Sequence, residues 1–435
     1  MKQTKQSDFK VILKSRIDFF IIKKQLSNQV KRIETRISIA PDHKAIFLSI
    51  EIDQAPARGP GNCKVNNTLL KDNDYINLIE RNYPFFQEKY QHVESRQLYW
   101  ELLKMEIRST TIAYSKKKKF NLRNRETIIQ RKLEELDTEI CNNQNLDADI
   151  LMEFENLKNE LNEIYSVKGK EAMFRSRTRW IENGEKPTKY FFNLEKRNYE
   201  KKMITQLKTT DGEIISDMTK INKEIENYYK NFLTSTAPQE KLNDYKVYFA
   251  LFASNLQNSK LCQDEASELE HDLTKDELLN VLKGFQPGKT PGDDGFTKEF
   301  YEIFFELLWG NLIDSFNEAF QTGKMSISQR RGIISLIPKD EDNLMVLSNW
   351  RPITLLNVDY KILARAIVKR IEAKLPKLVH PDQTGFVKGR YIGQNVRLLN
   401  DLMEFTESNQ LPGILLFIDL KKPLILWNGP LSNTL

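Results

Sequence analysis

No proline falls between Pro84 and Pro187, and the apolar residues inside that stretch recur at helical spacing. Proline removes a backbone donor and clashes with the preceding turn, so its absence leaves the chain free to build long helices. Leu133, Leu136 and Ile140, then Leu151, Phe154, Leu157 and Leu161, lie three and four residues apart, on one helix stripe. The pattern predicts helix from about Leu69 to Lys170.

The flanks read differently. Residues 9–23 and 46–52 are short, β-branched and aromatic, as strands are, and QAPARGPGN then marks a first boundary. After His271, Phe300, Phe304, Leu308, Leu312, Phe316 and Phe320 fall every four residues along a predicted amphipathic helix. Residues 332–337 (GIISLI) read as a strand. Residues 360–375 read as a helix with Leu363, Ile367 and Ile371 on one face and Asp359 as its cap. The apolar run 414–418 reads as a central strand delivering Asp419 at its end. Helices and strands mix without a repeating strand–helix unit, which predicts the α+β class.

Bulk chemistry narrows the setting. Lys and Arg exceed Asp and Glu by 66 to 60, a net charge of +6 that is compatible with nucleic acid without requiring it. Cys63, Cys141 and Cys262 have no metal-ligand spacing, which predicts neither disulfides nor zinc and a reducing compartment. The N-terminus lacks the apolar region of a signal peptide, and no apolar run reaches the roughly 20 residues of a membrane span. The expectation is an intracellular chain, nuclear or cytoplasmic, with no membrane partner; its oligomeric state is left open.

Three stretches bear on binding chemistry. In residues 174–197, Arg175, Arg177, Arg179 and Lys189 alternate with Trp180, Tyr190, Phe191 and Phe192. Cations neutralise phosphates and rings stack on bases, although rings beside cations also close small cores. The Lys116–Lys119 run reads equally as a solvated helix face. Residues 281–295 (VLKGFQPGKTPGDDG) miss the spacing of a phosphate-binding loop, so Pro291, Gly292 and Gly295 are read as a tight turn into the next helix.

The segments PGDDGFTKEFY (291–301), ISLIPKD (334–340), NWRPITLLNVDYKILARAIVKRI (349–371), DQTGFVKGRYIGQNV (382–396) and LLFIDLKK (415–422) occur in fixed order. Together they resemble the reverse transcriptase domain of LINE-type (non-LTR) retrotransposons, from its N-terminal extension through the fingers to the first palm motif. The basic stretch RSRTRWIENGEKPTKYFFNLEKRN resembles the segment preceding the polymerase in the Tx1 group. The resemblance implies RNA-directed DNA synthesis on an RNA template and DNA primer, with Mg2+ as cofactor. A strand–loop–strand would bring Lys339 and Arg351 together to hold the triphosphate, the alternative being that Arg351 pairs with a local acid such as Asp342. Gln383, Gly385, Phe386 and Arg390 match the segment lying along template and primer. Asp419 matches the first metal-binding aspartate.

Upstream, SRIDFFII (15–22) and PDHKAI (41–46) resemble the last strands of an apurinic-type endonuclease, with His43 at the attacked phosphate, Asp18 orienting it and Asp42 preceding it. The expected organisation is an endonuclease remnant (1–55), a helical linker (56–173), a basic aromatic linker (174–268), the front of the polymerase (269–422) and an aberrant tail (423–435). Codons for that tail exist that, with one base added in front, spell Ala-Phe-Asp-Ser-Leu, the family's continuation. A two-metal site needs several carboxylates and Asp419 supplies one, so the chain is expected to be inactive in primer extension. Two alternatives remain open: a nucleic-acid-binding pseudoenzyme using the basic linker and fingers, and a helical protein-interaction module.

Overall fold

The computed structural model describes residues 20–22, 24–37, 44–51, 61, 63–142, 148–176, 204–209, 211–234, 261–339 and 343–417. The chain divides into two units, residues 1–58 with 116–203 and residues 59–115 with 204–435. Among the described residues the fold is mainly helical, with three two-stranded antiparallel sheets. Asp18, Asp42, His43, Asp342 and Asp419, and Arg177, Arg179 and Lys189, lie outside the described residues.

In the first unit, β1 (Val30–Ile37) pairs with β2 (Lys44–Ile50) in an antiparallel ribbon. The second of these strands was expected. The first has no clean apolar alternation and escaped sequence reading. The long helix α2 (Arg96–Asn142) contributes its later turns here and packs along α3 (Ala148–Ser176). Ile129, Leu133, Leu161 and Ile164 form their buried seam. A bidentate Arg125–Glu160 pair and a Lys168–Glu126 pair flank it. Lys116–Lys119 are exposed on α2, and the side chain of Arg175 on α3 lies outside the described set.

The second unit contains the main core. Helix α1 (Asn73–Tyr90), the first turns of α2, α6 (Lys275–Lys283), α7 (Lys298–Ile303), α8 (Phe305–Thr322) and α9 (Val358–Leu378) bury Tyr75, Trp100, Leu103, Leu278, Phe300, Phe316 and Ile362 together. Caps fix where these helices begin. Asp72 accepts from the Asp74 amide, Thr297 from the Phe300 amide, and Thr274 with Glu277 closes a capping box. The helical stretch expected as one linker therefore divides: residues 59–115 share a core with residues 204–435, because Tyr75, Trp100 and Ile107 point into it. The aromatic series 300–316 is buried as expected, but over two helices that meet at Phe304, and Phe320 is half exposed.

A smaller core holds β3 (Leu207–Lys208), β4 (Ile214–Ile215) and α4 (Met218–Leu233) against a hairpin of β5 (Gly332–Pro338) and β6 (Trp350–Leu356). Part of the expected basic linker is thus a folded buttress. Helix α5 (Gln263–Glu270) is tied to α9 by Lys374 and Lys377, and α10 (Gly393–Ser408) follows at the C-terminal side. Two expectations change. Asp359 is no cap; Asn357 takes that position and Asp359 is buried in the first turn. Residues 414–417 form no strand and are exposed, because among the described residues no other strand pairs with them.

Candidate nucleotide-binding hairpin

Both arms of the hairpin follow from composition: GIISLIP and WRPITLL are rich in the β-branched and aliphatic residues that suit a pleated surface. The register places Ile337 opposite Arg351 and Pro338 opposite Trp350, and the Lys339 amide donates to the Asn349 carbonyl at 2.8 Å. Side chains alternate faces along a strand, so Lys339 and Arg351 are diagonal neighbours on one face. Both are exposed, and among the described residues neither ends in an ion pair. The other face carries Trp350 and Leu336 into the small core. The turn between the arms is held by Trp350 Nε1 donating to the Leu344 carbonyl (2.9 Å) and by the Lys208 amide donating to the Met345 carbonyl (2.8 Å).

A second set of predicted residues lies between α9 and α10. Gln383 Nε2 donates to the Gly385 carbonyl at 3.2 Å, and Phe386 has φ +61° with a fully exposed ring. Positive φ is uncommon for a bulky residue and stores strain of about 1–3 kcal/mol. Arg390 is placed differently from Phe386. Its guanidinium donates to the carbonyls of Pro376, Val379, His380 and Gln383 at 2.5–3.0 Å. The last carbonyls of a helix lack partners within it, and Arg390 supplies them for α9. It therefore shapes the loop that presents Gln383 and Phe386.

Residues 337–423 match the family described as reverse transcriptase (RNA-dependent DNA polymerase), a span containing Lys339, Arg351, Gln383, Phe386 and Asp419. A 149 kDa protein of transposon TX1 from Xenopus laevis is 28% identical over 419 residues, which is 94% of this chain and 30% of the relative. The Pol polyprotein of type-1 retrotransposable element R2 from Popillia japonica is 31% identical over 126 residues, 27% of this chain and 15% of the relative. The chain carries a segment of a LINE-type retrotransposon reverse transcriptase. It spans less than a third of the length of the relatives it matches.

The main core holds a buried charge cluster that sequence reading missed, with one member, Asp359, inside the matched segment. Lys104 Nζ lies 2.8 Å from Asp359 Oδ2, 3.3 Å from Glu101 Oε1 and 4.0 Å from Asp294 Oδ2. Trp100 Nε1 also donates to Asp359 Oδ2, at 3.1 Å. Burial would lower the Lys104 ammonium, but the surrounding carboxylates outweigh it and hold it above its ordinary value. Burial likewise works against the Asp359 carboxylate, which Lys104 and its hydrogen bonds hold below its usual range. The one sequence signal was position: Lys104 falls between Trp100 and Ile107 on an apolar stripe.

The carboxylates of Glu101, Asp294 and Asp359 do not fit a metal centre, since the Lys104 ammonium already fills the space among them. Among the described residues no group of three His, Cys, Asp or Glu could hold a metal ion. The turn 291–295 is no phosphate loop either. Its Gly295 has φ +81°, and the preceding Gly288 amide is taken by Glu299 Oε1 at 2.6 Å. No described helix is long and apolar enough to cross a membrane.

Asp294 gives the unit built from residues 59–115 and 204–435 a pH-dependent stability. Burial pushes its carboxyl up to about 7, and the Asp359 charge adds to the rise. An unfolded aspartate titrates near 4, so between about pH 4 and 7 the folded chain binds more protons and stability falls as pH rises. Glu277, held down to about 2 by its hydrogen bonds from Arg370, acts with the opposite sign only below its ordinary 4.5. Melting temperature should therefore drop between about pH 5 and 8 in the parent chain and stay level in Asp294→Asn. Parallel melting curves for the two proteins across that range would reject the assignment.

Proposed function

We propose that the β5–β6 hairpin is the triphosphate-holding wall of an RNA-directed DNA polymerase. The adjacency of Lys339 and Arg351 on one open face carries this reading. A compact ammonium and a planar guanidinium side by side suit the oxygens of a nucleoside triphosphate, one as a point charge and one as a two-pronged donor. Gln383 and the outward ring of Phe386 are read as contacts to the template–primer duplex, with Gly385 giving the backbone room and Arg390 fixing the loop. RNA template and DNA primer are the expected partners. The family's chemistry takes divalent metal, and Asp419 is the position of this chain that matches its first ligand.

The alignment with the transposon TX1 protein extends over nearly the whole chain. That supports a polyprotein in which the basic stretch containing Arg175, Arg177, Arg179 and Lys189 contacts nucleic acid ahead of the polymerase. Asp18, Asp42 and His43 are read as phosphate-side residues of a nuclease end, on motif resemblance alone.

Binding of dTTP to the full chain tests the hairpin. A hydrogen bond to a charged group contributes about 1.5–3 kcal/mol, so Lys339→Ala and Arg351→Ala should each weaken dTTP by about tenfold or more. Arg397→Ala, at an exposed position on α10, should change nothing. Native affinity in the Lys339→Ala/Arg351→Ala double variant would overturn the reading.

A further inference from the structure

One stripe of α2 reaches the open end of the hairpin. Gln97, Glu101 and Lys104 recur at four and three residues and share a helix face. Gln97 Nε2 donates to the Lys324 carbonyl at 2.7 Å, and its amide to Glu318 Oε2 at 2.6 Å. Glu101 accepts from the hydroxyls of Ser326 and Ser328. Lys104 donates to Ser328 Oγ at 2.5 Å and to Asp359 at 2.8 Å. The three side chains thus follow the turn that leads from α8 into β5.

Ser328 and Asn357 are the two roots of the hairpin. Ser328 lies in the turn four residues ahead of β5 and Asn357 directly after β6, and Asn357 Nδ2 donates to the Ser328 carbonyl at 2.9 Å, joining the two approaches to the hairpin. Asn357 Oδ1 also accepts from the Asp294 amide at 3.2 Å. Asp359, two residues further on, is fully buried and receives Lys104. A buried ion pair is a weak source of stability, since apolar residues of equal volume do as well. What Lys104 adds is direction, because its donors fix Ser328 and Asp359 at once.

We propose that Lys104 is a positioning residue for the nucleotide site: through Ser328 and Asp359 it clamps both roots of the hairpin that carries Lys339 and Arg351. The clamp makes an upstream helix, far from the polymerase motifs in sequence, part of the working fingers. It rests on the nucleotide reading of the hairpin, and two readouts separate them.

In the full chain, Lys104→Met alone strands the Asp359 charge, so the tests are the neutral pair Lys104→Met/Asp359→Leu and the milder Ser328→Ala. Amide hydrogen exchange across Gly332–Pro338 and Trp350–Leu356 reads the clamp, and dTTP affinity reads its consequence. Faster exchange in both strands is expected with unchanged exchange in α4, and dTTP should weaken by about tenfold in the pair and less in Ser328→Ala. Native hairpin exchange in Ser328→Ala, or in the folded pair, overturns the clamp. If Lys339→Ala/Arg351→Ala leaves dTTP binding intact, the nucleotide reading fails by itself and hairpin exchange still decides the role of Lys104.

Discussion

Alanine at Gly292 is expected to destabilise strongly the unit built from residues 59–115 and 204–435. A Cβ there would sit 2.1 Å from Asn357 Oδ1, 2.5 Å from the Asn357 amide nitrogen and 2.6 Å from the Leu356 carbonyl carbon. Two of those atoms are backbone at the end of β6 and cannot swing aside. Relief requires separating the 291–295 turn from the hairpin root, which breaks the Asn357–Asp294 hydrogen bond, and displacing the Asn357 side chain, which loses its hydrogen bond to the Ser328 carbonyl. Overpacking costs about 1–3 kcal/mol where side chains can adjust, and here it should exceed that range. Gly310→Ala is the matched control: nothing lies within 4 Å of its added carbon, and alanine in a helix gains about 0.5–1 kcal/mol. Urea midpoints should therefore move in opposite directions. A Gly292→Ala chain within about 1 kcal/mol of its parent would show that the turn is not wedged against Asn357.

The hairpin was legible in sequence because strand chemistry is local. Two β-branched arms around a polar excursion, with Lys339 and Arg351 at matching offsets, fix the pairing and the shared face. Helices α2, α3 and α9 were equally readable from their periodicity. What local pattern could not carry was the destination of single polar groups. Lys104 lies among charged residues in ELLKMEIR and reads as solvated, although its neighbours Trp100, Leu103 and Ile107 mark the apolar side. Asp359 stands at a helix start, where a cap is the usual explanation, and burial became visible only when the Lys104 ammonium was found beside it. Arg390 is read by resemblance as lying along template and primer, and its donors also close the end of α9. The run 414–418 has strand composition, but a strand is defined by a neighbour, and composition names none.

Trp350 is the residue on which stability and the nucleotide face should fail together. Its indole is 1% exposed, packs with Leu207, Ile215, Ile221 and Leu347, and donates to the Leu344 carbonyl. The next residue in the strand is Arg351, turned to the opposite face, so the indole anchors the strand that displays the guanidinium. Trp350→Ala should cost about 3–5 kcal/mol, by loss of buried apolar surface and the cavity left behind. Trp350→Phe keeps most of the packing and loses the N–H donor, leaving the Leu344 carbonyl without its partner at a cost of about 1–3 kcal/mol. Chemical denaturation of the full chain should rank parent, phenylalanine and alanine in that order. Affinity for dTTP should fall in the same order, because the arm carrying Arg351 loses its support before the rest of the unit unfolds. An alanine variant as stable as the phenylalanine one would mean that the small core of β3, β4 and α4 does not support the hairpin.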